Sequence, residues 1–165
     1  MTKVKVYDII MKKVFLFIII NLCILFVQAE NVLVDGIYYR LYVDELRATV
    51  VNDGNIADEN GAGYEVEELV IPETIVYEEV TYTVKSVGDY AFYSSDKIVD
   101  INIPAKITSI GAGTFADCKN LARAIIPDGV TSIEDRVFNN SHCLANISIP
   151  DSVTNIGEFA FYDCR

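Results

Sequence analysis

The chain has 165 residues, a formal charge of −11 and 52% hydrophobic residues. Such an acid excess disfavours contact with phosphate backbones and with anionic lipid surfaces, so nucleic acid is not an expected partner. The chain also has a single histidine, which leaves little scope for a nucleophile activated by a histidine base.

The N-terminal residues 1–29 are predicted to be a secretory signal peptide. The segment "MKKVFLFIIINLCILFVQAE", which starts at Met11, has a basic start, a short apolar run and a small residue, Ala29, at the expected cleavage point. A membrane span needs about 20 apolar residues, so an uncleaved anchor is the less favoured alternative. A lipid-modified Cys23 is also disfavoured, because the residue before it is not small, and Met11 is an alternative start. Cleavage predicts a secreted or cell-surface protein without a membrane-inserted segment.

Residues 30–85 are predicted to form an N-terminal β cap with a hairpin. The stretch "GIYYRLYVDELRATVVN" contains two strand-like runs joined near Asp44 and Glu45. The polar loop "DGNIADENGAG" follows, and it resembles a calcium loop only in part, because Ala57 stands where an oxygen ligand is needed. Further on, alternation on both sides of Glu78 and Glu79 predicts a β-hairpin.

Residues 86–165 repeat with a period of 23. The Ile-Pro pairs at 103–104, 126–127 and 149–150 have this spacing. Four apolar columns share it: Val87, Ile110, Ile133 and Ile156; Phe92, Phe115, Phe138 and Phe161; Ile98, Leu121 and Leu144; Ile107, Val130 and Val153. A period of 23 fits neither one helix nor one strand, and it indicates a supersecondary unit that stacks into a solenoid with a continuous core.

Each unit is predicted to contain two short strands and a turn. Ile101 and Ile103 alternate with an outward Asn102, and Pro104 ends that strand because proline cannot donate to a ladder. A second short strand follows, and "AGTFADC" is expected to be a short helical or irregular turn with Phe115 in the core. The predicted fold class is therefore mainly β with short helical turns.

Three cysteines follow the predicted cleavage point, and no disulfide is expected among them. Cys118 and Cys164 are 46 residues apart and share a column with Ser141. Two steps of about 4.8 Å separate them by about 9.5 Å, beyond the roughly 7 Å limit for a disulfide. They are expected to be small buried side chains, and Cys143, outside this column, to be an inert thiol near a turn.

The repeat units resemble the BspA-like leucine-rich repeats of secreted bacterial proteins. The segments "IPAKITSIGAGTFADCKNL" and "IPDSVTNIGEFAFYDC" carry the resemblance, together with "DGIYYRL" and "VIPETIVYEEVTYTVKSVGDYAF", and it covers about 35–165. It implies a right-handed solenoid and a secreted or surface protein with an adhesion-type role. Glu134, Val137 and "NNSH" depart from the pattern in the third unit, and they are expected to loosen its turn while keeping its core column.

No enzymatic chemistry is predicted. His142 adjoins Cys143, but the sequence offers no third group to orient them. Neither a Gly-x-Ser-x-Gly elbow nor a phosphate-binding glycine loop nor a zinc-ligand spacing occurs in the sequence. No cofactor and no metal are therefore expected.

The predicted interaction residues are the outward side chains of the repeated strand. They align in two rows: Asp100, Arg123 and Asn146; and Asn102, Ile125 and Ser148. A rigid row of this kind lets weak contacts with an extracellular or host protein, or with a glycan, add together. The alternatives are ordinary solvated strand residues, and a structural spacer or fragment whose binding region lies elsewhere.

The final unit stops within its turn at Arg165. A solenoid that ends there without a polar cap exposes an apolar surface and unpaired strand edges. The repeats are therefore expected to be truncated, as a fragment or an early stop of a longer array. The alternative is self-association through the uncapped C-terminal unit.

Overall fold

The computed structural model describes residues 31–52, 64 and 66–165. The predicted signal peptide and the calcium-like part of the polar loop, around Ala57, lie outside the described residues. The described residues belong to one compact unit and contain twelve β-strands and no helix.

The strands form three sheets. Their bounds are β1 Asn31–Val34, β2 Ile37–Tyr42, β3 Arg47–Val50, β4 Glu68–Val70, β5 Thr74–Tyr77, β6 Val80–Val87, β7 Asp100–Asn102, β8 Ser109–Ile110, β9 Arg123–Ile125, β10 Ser132–Ile133, β11 Asn146–Ser148 and β12 Asn155–Ile156. The first sheet has the order β1-β2-β3-β6-β5, with β8 paired to β6. The second has the order β4-β7-β9-β11, and the third contains β10 and β12.

The first sheet begins with antiparallel pairs that the turn residues explain. β2 pairs with β3, and β5 pairs with β6 around Glu78 and Glu79, both of which have positive φ. These pairs confirm the two strand-like runs and the hairpin that the sequence predicts. β1 is an addition, and it pairs with β2 across Asp35 and Gly36, also at positive φ. A two-residue Asp-Gly connection between apolar runs is a known hairpin signal.

The second sheet converts the sequence period into a spatial one. Its strands are parallel, and Arg123 pairs with both Asp100 and Asn146, each 23 residues away. The third sheet has the same offset between Ser132 and Asn155. β4 joins the second sheet at an offset of 32, because the β5–β6 hairpin lies between β4 and β7. One period in the sequence thus equals one step across the sheet.

The turn of each unit is held by its neighbour rather than by a helix. The amides of Phe92, Phe115 and Phe138 donate to carbonyls 22 residues later, at distances of 3.0, 2.9 and 2.8 Å. These inter-unit bonds use the N–H groups that a helix would need for itself. Residues at positive φ, including Asp117 and Asn140, recur beside them. The predicted short helical turns are therefore wrong for the described residues, where the irregular alternative holds.

The core is a stack of phenylalanine rings surrounded by aliphatic side chains. Consecutive rings of Phe92, Phe115, Phe138 and Phe161 are 5.5 Å apart and within 15° of parallel. Tyr64 lies against Phe92 with centroids 4.9 Å apart. Each fully buried large apolar side chain contributes roughly 1.5–3 kcal/mol, so the stack and its aliphatic neighbours are the main stabilising element of the fold.

The cysteine column is buried against main-chain carbonyls. The Sγ of Cys118 donates to the Phe92 carbonyl at 3.1 Å, and the Oγ of Ser141 donates to that of Phe115 at 2.9 Å. Cys164 repeats the bond to Phe138 at 3.1 Å. Both thiols are free, as expected, and burial raises the pKa of Cys118 to about 12. Cys118 is buried as predicted, whereas Cys164 is only half-buried.

The third unit keeps its core despite the departures in its sequence. Val137, Phe138 and Ser141 are all fully buried, and Glu134 points outward as an exposed residue. The Gly113 amide still donates to the Asp135 carbonyl at 2.9 Å. The core column is therefore retained, as the sequence predicts.

Candidate interaction face

The outward side chains of β4, β7, β9 and β11 form what we call the strand face. In each strand the central residue points inward: Leu69, Ile101 and Ala124 are buried and Ile147 is half-buried. The two flanking residues therefore point away from the core, because successive side chains of a strand alternate between its faces. The structure brings all six predicted interaction residues onto this one face.

The first row of the strand face contains charged and polar residues. Arg123 lies between Asp100 and Asn146, and Glu68 extends the row on the far side of Asp100. The Nε of Arg123 is 3.2 Å from Oδ1 of Asp100, and both side chains are largely exposed. An exposed pair of this kind contributes about 1 kcal/mol or less to stability. Its main effect is to hold the guanidinium in place over the sheet.

The second row carries the exposed apolar surface. Val70 pairs with Asn102, and Ile125 pairs with Ser148. Val70 is 54% exposed and Ile125 is 55% exposed. The sequence prediction includes Ile125 but misses Val70, because the hairpin insertion shifts Val70 out of the 23-residue period. The Ile-Pro pair at 71–72 is the signal that places it in this row.

The His142 and Cys143 neighbours do not form a catalytic pair. The Nε2 of His142 lies 3.2 Å from Oδ2 of Asp163, and Arg165 also binds this carboxylate. These contacts lower the pKa of Asp163, chiefly through the hydrogen bond from Arg165. Asp163 is an orienting group that the sequence reading misses. Within the described ranges, however, no hydrogen bond joins His142 to the exposed Cys143 thiol.

Two further kinds of site were searched for in the part of the chain that the structure describes. It contains no group of three or more His, Cys, Asp or Glu side chains that could hold a metal ion. In the same residues, no helix has the length and apolar character required to cross a membrane.

The repeat is also recognised by comparison with known proteins. Residues 66–165 match six copies of the BspA type leucine rich repeat region. The chain belongs to the BspA-type leucine-rich repeat family. The match includes β4 and so extends the BspA-type units to the first strand of the strand face. The resemblance that the sequence predicts is confirmed.

Solved structures of bacterial leucine-rich repeat proteins share the fold of this BspA-type chain. A protein from Bacteroides ovatus has a TM-score of 0.70 and 28% identity over 81% of this chain, which spans only 33% of that protein. One from Bacteroides capillosus has a TM-score of 0.63 and 27% identity, with coverage of 76% of this chain and 86% of that one. The T. pallidum leucine rich repeat protein, at 24% identity and a TM-score of 0.63, shows the fold alone. A search of curated proteins finds no match.

Proposed function

We propose that this protein is a secreted or cell-surface leucine-rich-repeat protein that binds an extracellular or host protein through its strand face and performs no catalysis. The observation that carries the proposal is the pair of exposed apolar residues, Val70 and Ile125, in one row of a rigid sheet. Beside them stands a guanidinium fixed by Asp100. Exposed apolar side chains next to an arginine are typical of protein interfaces.

The architecture that we infer supports such a face. The repeats would form a right-handed solenoid, with the first β-strands as a cap over one end. Each unit adds one step to the strand face, so a partner that spans several units gains several weak contacts at once. The predicted signal peptide, residues 1–29, supports secretion, and the mature chain would then have a net charge of −14.

The experiment compares two substitutions with the same chemistry at different places. Ile125→Asp puts a charge in the strand face, and Val76→Asp does so on the edge strand β5, where Val76 is 61% exposed. Each purified variant is titrated by biolayer interferometry against a panel of extracellular-matrix proteins. We expect Ile125→Asp to abolish binding that the wild type shows, and Val76→Asp to retain it. Equal binding by both variants would contradict the proposed face.

A structural spacer is the alternative function. In that case the strand face is simply solvated, and the binding region belongs to another part of a longer protein. The finding that the chain spans 33% of the Bacteroides ovatus protein is compatible with this alternative. Wild-type protein that binds no member of the panel would favour the spacer.

A further inference from the structure

A second surface of the molecule forms a groove that is separate from the strand face. It lies on the outward side of the first sheet and has a volume of about 510 Å³. This size is within the range of small-ligand sites, about 300–1,000 Å³. None of the residues of the strand face lines it. Its argument is therefore independent of the proposed function.

A continuous row of polar side chains crosses the groove. Arg40 pairs with Thr49, Thr49 with Ser86, and Ser86 with Ser109, and all four line the groove. Three steps between adjacent strands, at about 4.8 Å each, make this row roughly 14 Å long. Thr49 Oγ1 and Ser86 Oγ are 2.7 Å apart, so each hydroxyl retains capacity for a further partner. The row is too long for one small ion and suits an extended polar ligand.

The groove carries positive charge in an otherwise acidic protein. Arg40 is exposed and has no ion pair among the described residues. Arg47 is bound by Glu45 and lies over the Tyr42 ring, 3.4 Å from its centroid, so its position is fixed and its charge partly balanced.

The acidic residue of the groove lining does not cancel this charge. Asp89 lines the groove, but its Oδ1 accepts a hydrogen bond from the Ala112 amide at 2.9 Å, which turns that oxygen toward the backbone. Two arginines therefore face one carboxylate. An exposed guanidinium at one end of a row of hydroxyls is suited to a ligand that has an anionic group attached to several hydroxyls.

We propose that this groove binds an acidic oligosaccharide. Arg40 would hold a carboxylate or sulfate group, and Thr49, Ser86 and Ser109 would exchange hydrogen bonds with the sugar hydroxyls along the row. A hydroxyl both donates and accepts, which matches the same property of a sugar hydroxyl. Carboxylate and sulfate share the geometry that a guanidinium binds through two parallel hydrogen bonds, so the test separates these two sources.

The test is isothermal titration of the purified protein with four probes: a hyaluronan hexasaccharide, a heparin hexasaccharide, maltohexaose and sodium sulfate. We expect binding of at least one of the two acidic hexasaccharides. Binding of hyaluronan alone identifies a carboxylate ligand, and binding of heparin alone a sulfate ligand. The proposal is wrong if neither acidic hexasaccharide binds, if maltohexaose binds equally well, or if sodium sulfate binds as tightly as the hexasaccharides.

Two variants locate the binding. Arg40→Gln removes the unpaired cation, and Arg123→Gln removes an exposed arginine of the strand face as the matched control. Since hydrogen bonds to charged groups are stronger than neutral ones, we expect Arg40→Gln to weaken binding about tenfold or more and Arg123→Gln to leave it unchanged. Both side chains are exposed, so both variants should keep the wild-type melting temperature. Equal weakening by the two variants, or no effect of Arg40→Gln, overturns the assignment.

Discussion

Gly111 illustrates how tightly the units meet at single residues. A Cβ added at this position would lie 2.5 Å from the Asp89 amide nitrogen and 2.7 Å from the Gly88 carbonyl carbon, both of which are backbone atoms. Backbone atoms of a neighbouring unit cannot move aside as the end of a flexible side chain can. The glycine therefore sets how closely two units approach.

We expect Gly111→Ala to lower the free energy of unfolding by about 1–3 kcal/mol, as an overpacked site does. The matched control is Glu134→Ala, because Glu134 occupies the same column one unit later and already carries an exposed side chain. That change should stay within about 0.5 kcal/mol of the wild type. Urea denaturation measures both, and an equal loss in the two variants would show that the close approach at Gly111 is unimportant.

Cys118 allows a test of burial through pH. Its thiol is buried and its pKa is raised to about 12, first by desolvation. In the unfolded chain the thiol loses its proton near its model value of 9.0. Its contribution is therefore fully present below pH 9 and is lost as the pH rises from about 9 toward 12, by up to about 1.4 kcal/mol per pH unit.

We expect Cys118→Ser to fold and to remove this part of the alkaline loss. Serine occupies the same column at Ser141, where its Oγ donates to a carbonyl just as the Cys118 thiol does. The free energy of unfolding, measured by urea at pH 7 and at pH 10, should fall more steeply for the wild type than for the variant. Parallel pH profiles would contradict the buried-thiol account. The buried tyrosines Tyr39 and Tyr82 are common to both proteins.

At the scale of elements, the phenylalanine stack links the units. Phe115 has a ring on each side, at Phe92 and Phe138, whereas Phe161 contacts only the ring of Phe138 within the stack. Aromatic pairs contribute about 0.5–1.5 kcal/mol beyond the area they bury. The two positions should therefore differ by about one ring pair.

Phe115→Leu and Phe161→Leu test this difference with the same change of side chain. We expect Phe115→Leu to cost about 1–3 kcal/mol through the loss of two ring pairs, and Phe161→Leu about half as much. Phe115 is also fully buried and Phe161 only half-buried, which increases the difference in the same direction. Chemical denaturation followed by circular dichroism measures it. An equal cost at the two sites would mean that the stacked rings add nothing beyond burial.

The elements also show which parts of the fold can be read from the sequence. Columns 23 residues apart place Ile101, Ala124 and Ile147 on adjacent strands without any structural knowledge, because parallel pairing keeps a constant offset. The turn around Phe115 is different, since its amides bond to carbonyls of the next unit. A local pattern cannot distinguish such inter-unit bonds from those of a short helix. Prediction therefore succeeds for the strands and is wrong for the turns.

The two candidate surfaces differ for the same reason at the scale of the whole molecule. The rows of the strand face follow the period, so six of their residues, including Arg123 and Ile125, can be predicted from spacing. Val70 escapes because an inserted hairpin breaks the offset. The groove combines Arg40 and Ser109 from strands that share no period. Only the order of strands in the first sheet brings them together.

The balance between net charge and exposed apolar surface should govern association of the whole molecule. The last repeat unit exposes Ile156 at 54%, Phe159 at 52% and Tyr162 at 59%. A charge of −11 on every copy opposes contact between such surfaces. Salt screens that repulsion, with a Debye length of about 10 Å at 0.1 M and about 3 Å at 1 M. We therefore expect the protein to self-associate more strongly as the salt concentration rises.

Sedimentation velocity of three proteins at 0.1 M and 1 M salt tests this expectation. Ile156→Asp places a charge within the apolar surface, and Val76→Asp adds the same charge at a comparably exposed residue of another strand. Both variants have the same net charge, so only the location differs. Wild type and Val76→Asp should associate at 1 M salt while Ile156→Asp stays monomeric. If the two variants behave alike, the net charge rather than this surface controls association, because the substituted charge would then act regardless of its place.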